Sequence, residues 1–118
     1  MEKLKTTYIL VSLLMIVLSI PLIARKVPPN PLYGIRTPRT LTDADFWYEI
    51  NAYCGKLMLV LGVCLTGAAF VLARAPGISV DSYAYGFVAV LGVVGTVDLI
   101  LGWIFYQRVK ASMDENDE

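Results

Sequence analysis

The sequence predicts an all-α membrane protein: three transmembrane helices with a proline-rich interfacial loop between helices 1 and 2. Three observations lead there. Hydrophobic residues make up 57% of the 118-residue chain and mean hydropathy is +0.62, too apolar for a water-soluble fold of this size. Apolar blocks at about residues 8–24, 53–73 and 82–106 each approach the length needed to cross about 30 Å of hydrocarbon at about 1.5 Å per residue. Between the first two lies VPPNPLYGIRTPRTL, residues 27–41, with Pro28, Pro29, Pro31 and Pro38 in one short polar stretch. We read residues 1–118 as a single three-helix membrane domain.

The first block follows Lys3 and Lys5 as a signal peptide would, but Leu22 and Ala24 make a poor small-x-small cleavage pair. It is therefore read as a retained span, with Pro21 kinking its last turn. The loop comes next. Pro28, Pro29 and Pro31 fix their own φ near about −65° and push the residues before them toward extended backbone, so no helix forms across them. Gly34 supplies a position open to positive φ, and YGIR reads as a tight turn presenting Arg36. Backbone without helical hydrogen bonds needs side-chain partners at a membrane, and Asn30, Asn51 and Trp47 are suited to supply them. The planar fork of Arg36 asks for a carboxylate, with Asp98, Glu49 and Asp45 as candidates, or for lipid phosphate.

TLTDADFW starts the second helix: Thr42 is placed to cap it, and Asp43 and Asp45 set negative charge at the positive end of its dipole. From about residue 43 to residue 73 no proline interrupts it, giving about 46 Å, longer than the membrane is thick. Phe46, Trp47, Tyr48 and Tyr53 then fall in the interfacial belt. Trp47, Asn51, Gly55, Gly62 and Thr66 share one helical face, and Gly92, Gly95, Asp98 and Gly102 share one face of the third helix. Small residues let helix backbones approach closely in lipid, so the two stripes are expected to meet. Asp98 lies deep in an apolar run, where a carboxylate is costly enough to mark either a functional site or a polar tie between helices. Arg36 and Lys56 are its nearest candidate partners.

Charge fixes orientation and removes some function classes. Arg25, Lys26, Arg36, Arg39, Lys56, Arg108 and Lys110 fall on one side, and Lys3, Lys5 and Arg74 on the other. The positive-inside bias then puts the N-terminus out and the C-terminus in. With Lys+Arg and Asp+Glu equal at 10 each, no cationic surplus argues for a nucleic-acid partner, and the terminal MDENDE reads as a short solvated tail. There is no histidine, which removes His-dependent triads, HExxH zinc sites and imidazole bases. Cys54 and Cys64 lie about 15 Å apart along one helix, too far for a disulfide, and read as small core residues. GVVGTVD lacks the lysine of a phosphate loop. No enzyme chemistry, metal or cofactor is implied.

PNPLYGIRTPRTLTDADFWYEINAYCGK resembles the signature of the SdpI-like family, small bacterial multipass membrane proteins named for immunity to a secreted sporulation-delay peptide toxin. The likeness is carried by Asn30 and Pro31, then Tyr33, Gly34, Arg36, Thr37 and Pro38, then Trp47, Asn51 and Gly55. What the resemblance implies is a bacterial cytoplasmic (inner) membrane protein that protects against a hydrophobic peptide, or senses it and signals to a transcriptional repressor. The immunity protein that names the family resembles two such units' worth of spans. This chain, with three, resembles the shorter stand-alone members, for which a general membrane-stress role is an equal reading. The alternative is a small transporter or channel, a homo-oligomer in which Asp98 and Arg36 line a polar path.

Overall fold

A computed structural model describes residues 2–116. They form α1 (Glu2–Ile23), α2 (Pro38–Thr42), α3 (Ala44–Ala73) and α4 (Val80–Asn116), with no strand among them. Three of the four, α1, α3 and α4, are long and apolar enough to cross a membrane. This is the all-α, three-span architecture that the hydropathy predicts.

The helices run up, down and up, with α3 in the middle. At one end Lys5 Nζ reaches the Ala73 carbonyl at 3.5 Å, and the Tyr83 hydroxyl donates to the Ala69 carbonyl at 3.1 Å. At the other end Tyr53 stacks on Phe105 at 3.9 Å between centroids, and Phe46 meets Tyr106 edge-on at 5.0 Å. Leu61, Leu65, Ala69 and Phe87 form the buried core between α3 and α4. Tyr8 ties α1 to α4 by stacking on Phe87 at 4.4 Å and lying over Tyr83 at 5.7 Å. In the most apolar stretch of α4 only 6% of residues are buried, against 22% for α3. Most of the apolar surface of α4 is therefore left uncovered by the rest of the chain.

Several elements differ from the sequence reading. The cap of α3 is Asp43, whose Oδ1 accepts from the Phe46 amide at 3.2 Å, and not Thr42. Thr42 belongs to α2, a single turn closed by a reciprocal box: Thr37 Oγ1 accepts from the Thr40 amide at 3.2 Å, and Thr40 Oγ1 from the Thr37 amide at 2.8 Å. Pro38 at the first helical position, with φ already helical, costs no hydrogen bond there. Thr37 itself is extended, with φ −121° and ψ 164°, as Pro38 requires. The described acidic residues of the C-terminal end are exposed, as in a solvated tail, but they are helical. Met113, Asp114 and Glu115 continue α4, and Asp114 Oδ1 pairs with Arg39 at 2.7 Å; Asp117 and Glu118 lie outside the described residues.

The expected meeting of the two glycine stripes does not occur. A side chain at Gly55 would meet Leu22 and Ile23 of α1 at 3.0–3.2 Å, and one at Gly62 would meet Ile16 and Ser12 at 2.8–3.2 Å. The small-residue face of α3 thus receives α1. Gly92 and Gly95 have nothing within 4 Å, and Gly102 faces Cys54 and Leu57 at 3.7 Å. The face of α3 toward α4 carries larger side chains. Of the cysteines, Cys54 is half-buried there, while Cys64 is exposed rather than in the core.

Candidate functional site

The proline-rich loop folds back onto the first turns of α3, and side chains supply partners to many of its backbone polar groups. Asn30 organises the first bend: its Oδ1 accepts from the amides of Leu32 at 2.9 Å and Tyr33 at 2.8 Å, and its Nδ2 donates to the carbonyls of Pro28 at 2.8 Å and Tyr33 at 3.1 Å. One side chain thereby satisfies four main-chain groups that the prolines leave outside any helix. Arg36 donates from Nη1 to the Pro31 carbonyl, closing the same bend from its far side.

α3 then clamps the loop. Trp47, fully buried, donates its indole N–H to the Val27 carbonyl at 2.7 Å. Asn51, 2% exposed, accepts from the Ile35 amide at 2.6 Å and donates to the Ile35 carbonyl at 3.4 Å and to the Trp47 carbonyl at 3.0 Å. Its amide matches the main chain of Ile35 on both donor and acceptor. Gly34 makes that approach possible. Its φ is +111°, and a Cβ there would lie 2.7 Å from Asn51 Oδ1 and 3.1 Å from the Trp47 ring. Both the backbone conformation and the space demand glycine.

Beyond Ile35 the chain passes to α4. Thr37 Oγ1 is 2.8 Å from the Tyr106 hydroxyl, and buried Thr40 donates to the Ile35 carbonyl at 2.9 Å. The loop is thus fixed to both α3 and α4. Tyr33 is half-buried. Its hydroxyl has no partner among the described residues, and burial pushes its phenol pKa up.

A groove of about 840 Å³ opens between α3 and α4. Cys54, Leu57 and Leu61 line one wall, Asp98 and Trp103 the other, and Ile35 and Thr37 of the loop form one end. Asp98 Oδ2 is buried and takes no hydrogen bond among the described residues. The sequence pairing of Arg36 with Asp98 is not what the structure shows. Arg36 is turned onto the Pro31 carbonyl, and Glu49 is taken by Arg25 at 3.0 Å. The loop is short, and its own carbonyls reach the guanidinium before α4 does.

Of the residues singled out from sequence, Asn30, Pro31, Gly34, Arg36, Thr37, Trp47 and Asn51 come together in the clamp. Tyr33 lies within the same loop, Gly55 belongs to the α1 contact, and Asp98 stands apart in the groove. Sequence reasoning missed Thr40 and Tyr106, and it placed Phe46 in the interfacial belt without its contact to Tyr106. TPRT does carry the spacing of a capping box, which marks Thr40; Tyr106 and Phe46 have no local signal, because their role depends on α4 returning alongside α3.

The profile of the SdpI/YfhL protein family matches residues 26–106. The chain belongs to the SdpI/YfhL family. Over 54 residues it is 36% identical to the uncharacterized protein YfhL of Bacillus subtilis (strain 168), a match covering 43% of this chain and 49% of that relative. The match therefore spans about half of the relative's length. No solved structure matches the chain. The SdpI/YfhL match takes in the whole clamp and most of the groove, all but Gln107 and Lys110 of its lining, and stops short of α1, which ends at Ile23.

Proposed function

We propose that this chain acts in a bacterial cytoplasmic membrane by taking a hydrophobic peptide, or an apolar molecule released under membrane stress, into the groove between α3 and α4. Occupancy then gives immunity to that molecule or signals its presence, with a transcriptional repressor as the partner of the signalling form. The observation that carries the reading is the position of the motif loop. Held rigid by Asn51 and Trp47, it places Ile35 and Thr37 at one end of a lipid-facing apolar groove. Grooves of several hundred Å³ with few polar groups are typical ligand sites, and half-buried Asp98, with its Oδ2 enclosed, gives this one a polar point of discrimination.

The transport reading needs Arg36 and Asp98 on one path. Arg36 does not line the groove, so binding is favoured. The expected orientation, N-terminus out and C-terminus in, would set the clamped end of the groove at the cytoplasmic face, where a regulator has access.

Cys54 supplies the test. A hydrophobic peptide that protects cells expressing the protein should slow maleimide labelling of Cys54 in membranes without slowing that of lipid-facing Cys64. Leu57→Trp, which fills the groove, should abolish both survival under peptide challenge and Cys54 protection. Survival unchanged by Leu57→Trp in a protein that still folds would refute groove binding, and peptide-driven ion flux in proteoliposomes would favour transport.

A further inference from the structure

A second cavity, of about 620 Å³, lies on the same end of the bundle but outside the groove. Arg25 at the end of α1, Asp45, Tyr48 and Glu49 on α3, and Arg108 and Ser112 on α4 line it. Two cations and two carboxylates leave its lining neutral in sum yet strongly polar.

Arg25 is set there at a backbone cost. α1 ends in a Schellman turn, with the Lys26 amide donating to the Pro21 carbonyl at 3.0 Å and the Arg25 amide to the Leu22 carbonyl at 3.2 Å. Arg25 occupies its left-handed position at φ 59°, where glycine is the usual residue. The turn directs the guanidinium to Glu49 Oε1 at 3.0 Å, building one wall. Across from it, Arg108 and Asp45 have no ion-pair partner among the described residues. The cavity's level is that of the interfacial aromatics, since Tyr48 lines it and Tyr106 lies half a turn before Arg108.

We propose that this cavity holds the headgroup of a membrane lipid bearing a phosphate and a primary amine, a phosphatidylethanolamine. The phosphate lies between Arg108 and Arg25, with the hydroxyls of Tyr48 and Ser112 as further donors, and the ammonium lies against Asp45. A neutral cavity with separated charges of both signs selects a zwitterion over an anion. Asp45 selects an ammonium that still carries N–H donors over a quaternary one. The site is independent of the groove and of any peptide.

The full chain, purified in detergent, would be titrated with phosphatidylethanolamine, phosphatidylcholine and phosphatidylglycerol of matched acyl chains, and bound lipid read by native mass spectrometry. Phosphatidylethanolamine should be retained over both others. Arg108→Gln, at an exposed position, should weaken its retention roughly tenfold, the loss of one charge-assisted bond, while Lys110→Gln should not. Asp45→Asn should move the preference toward phosphatidylglycerol. Inorganic phosphate and free phosphoethanolamine, added in excess, should fail to displace the lipid, whose acyl chains also lie against the helices. Equal retention of the three lipids, a preference for phosphatidylglycerol in the unaltered protein, displacement by inorganic phosphate, or a preference that survives Arg108→Gln would each overturn the assignment.

Discussion

Replacing Gly34 by alanine is the sharpest test of the clamp, because two separate costs fall on one atom. At φ +111° an L-residue is in a sparsely populated region, which costs about 1–3 kcal/mol. The new Cβ, 2.7 Å from Asn51 Oδ1 and 3.1 Å from the Trp47 ring, must also displace the amide that binds Ile35. A hydrogen bond to a buried group contributes about 1 kcal/mol. Gly34→Ala should therefore destabilise by about 2–4 kcal/mol. Reversible unfolding in mixed micelles, followed by helicity as the denaturing detergent fraction rises, measures it. Gly95→Ala is the control: nothing lies within 4 Å of its Cβ, and alanine in a helix gains up to about 1 kcal/mol over glycine. In Asn51→Ala the clashing oxygen is gone, so Gly34→Ala on that background should cost less than on the native one. A Gly34→Ala protein within about 0.5 kcal/mol of native, or additive losses in the double variant, would refute the clamp.

Helix contacts make a second prediction: Gly62→Leu should destabilise by about 1–3 kcal/mol by driving α1 off α3, while Gly95→Leu should be mild, as compared in the same unfolding assay. Tyr33→Phe should be neutral or slightly stabilising, because it removes a buried hydroxyl without a partner and leaves the ring; a loss above about 1 kcal/mol would reveal a bond to that oxygen. For orientation, a cytoplasm-active reporter fused after Glu118 should be active, and Arg36→Cys should resist an impermeant thiol reagent in intact cells; labelling there would invert the topology.

Most of the fold was legible because length and hydropathy alone decide whether a segment spans a membrane. The clamp was legible in part, since the prolines, Gly34, Asn51 and Trp47 each carry a local signal. What failed was the choice of neighbour. Cys54, Leu57 and Leu61, spaced three and four apart, share one face of α3, and Gly55 and Gly62 share the next, because one residue turns a helix by about 100°. Hydropathy cannot tell these faces apart when lipid surrounds both, and small residues show only that some helix comes close, not which. The Arg36 partner failed for a related reason. Sequence suggests that a guanidinium seeks a carboxylate but does not show that the Pro31 carbonyl is already within reach.

The correction in helix pairing bears on function. Because α1 occupies the glycine face of α3, it seals the back of the bundle and leaves the Cys54–Leu57–Leu61 face to α4. α4 covers that face incompletely: Gly92 and Gly95 leave open space where side chains would otherwise fill the interface. The groove is therefore a consequence of pairing two dissimilar faces, one bulky and one nearly bare, and the loop closes its end because Asn51 and Trp47 project from α3 just beyond it. A carboxylate in such a place, with one oxygen buried, must find a donor or take up a proton, since its charged form is expensive in lipid. Asp98→Asn retains the shape and a hydrogen-bonding group but cannot ionise. If the groove admits a neutral donor, peptide protection of Cys54 should survive Asp98→Asn and fail in Asp98→Leu. If it recognises a cation, both substitutions should abolish protection alike, so the pair of variants assigns the chemical character of whatever the groove accepts.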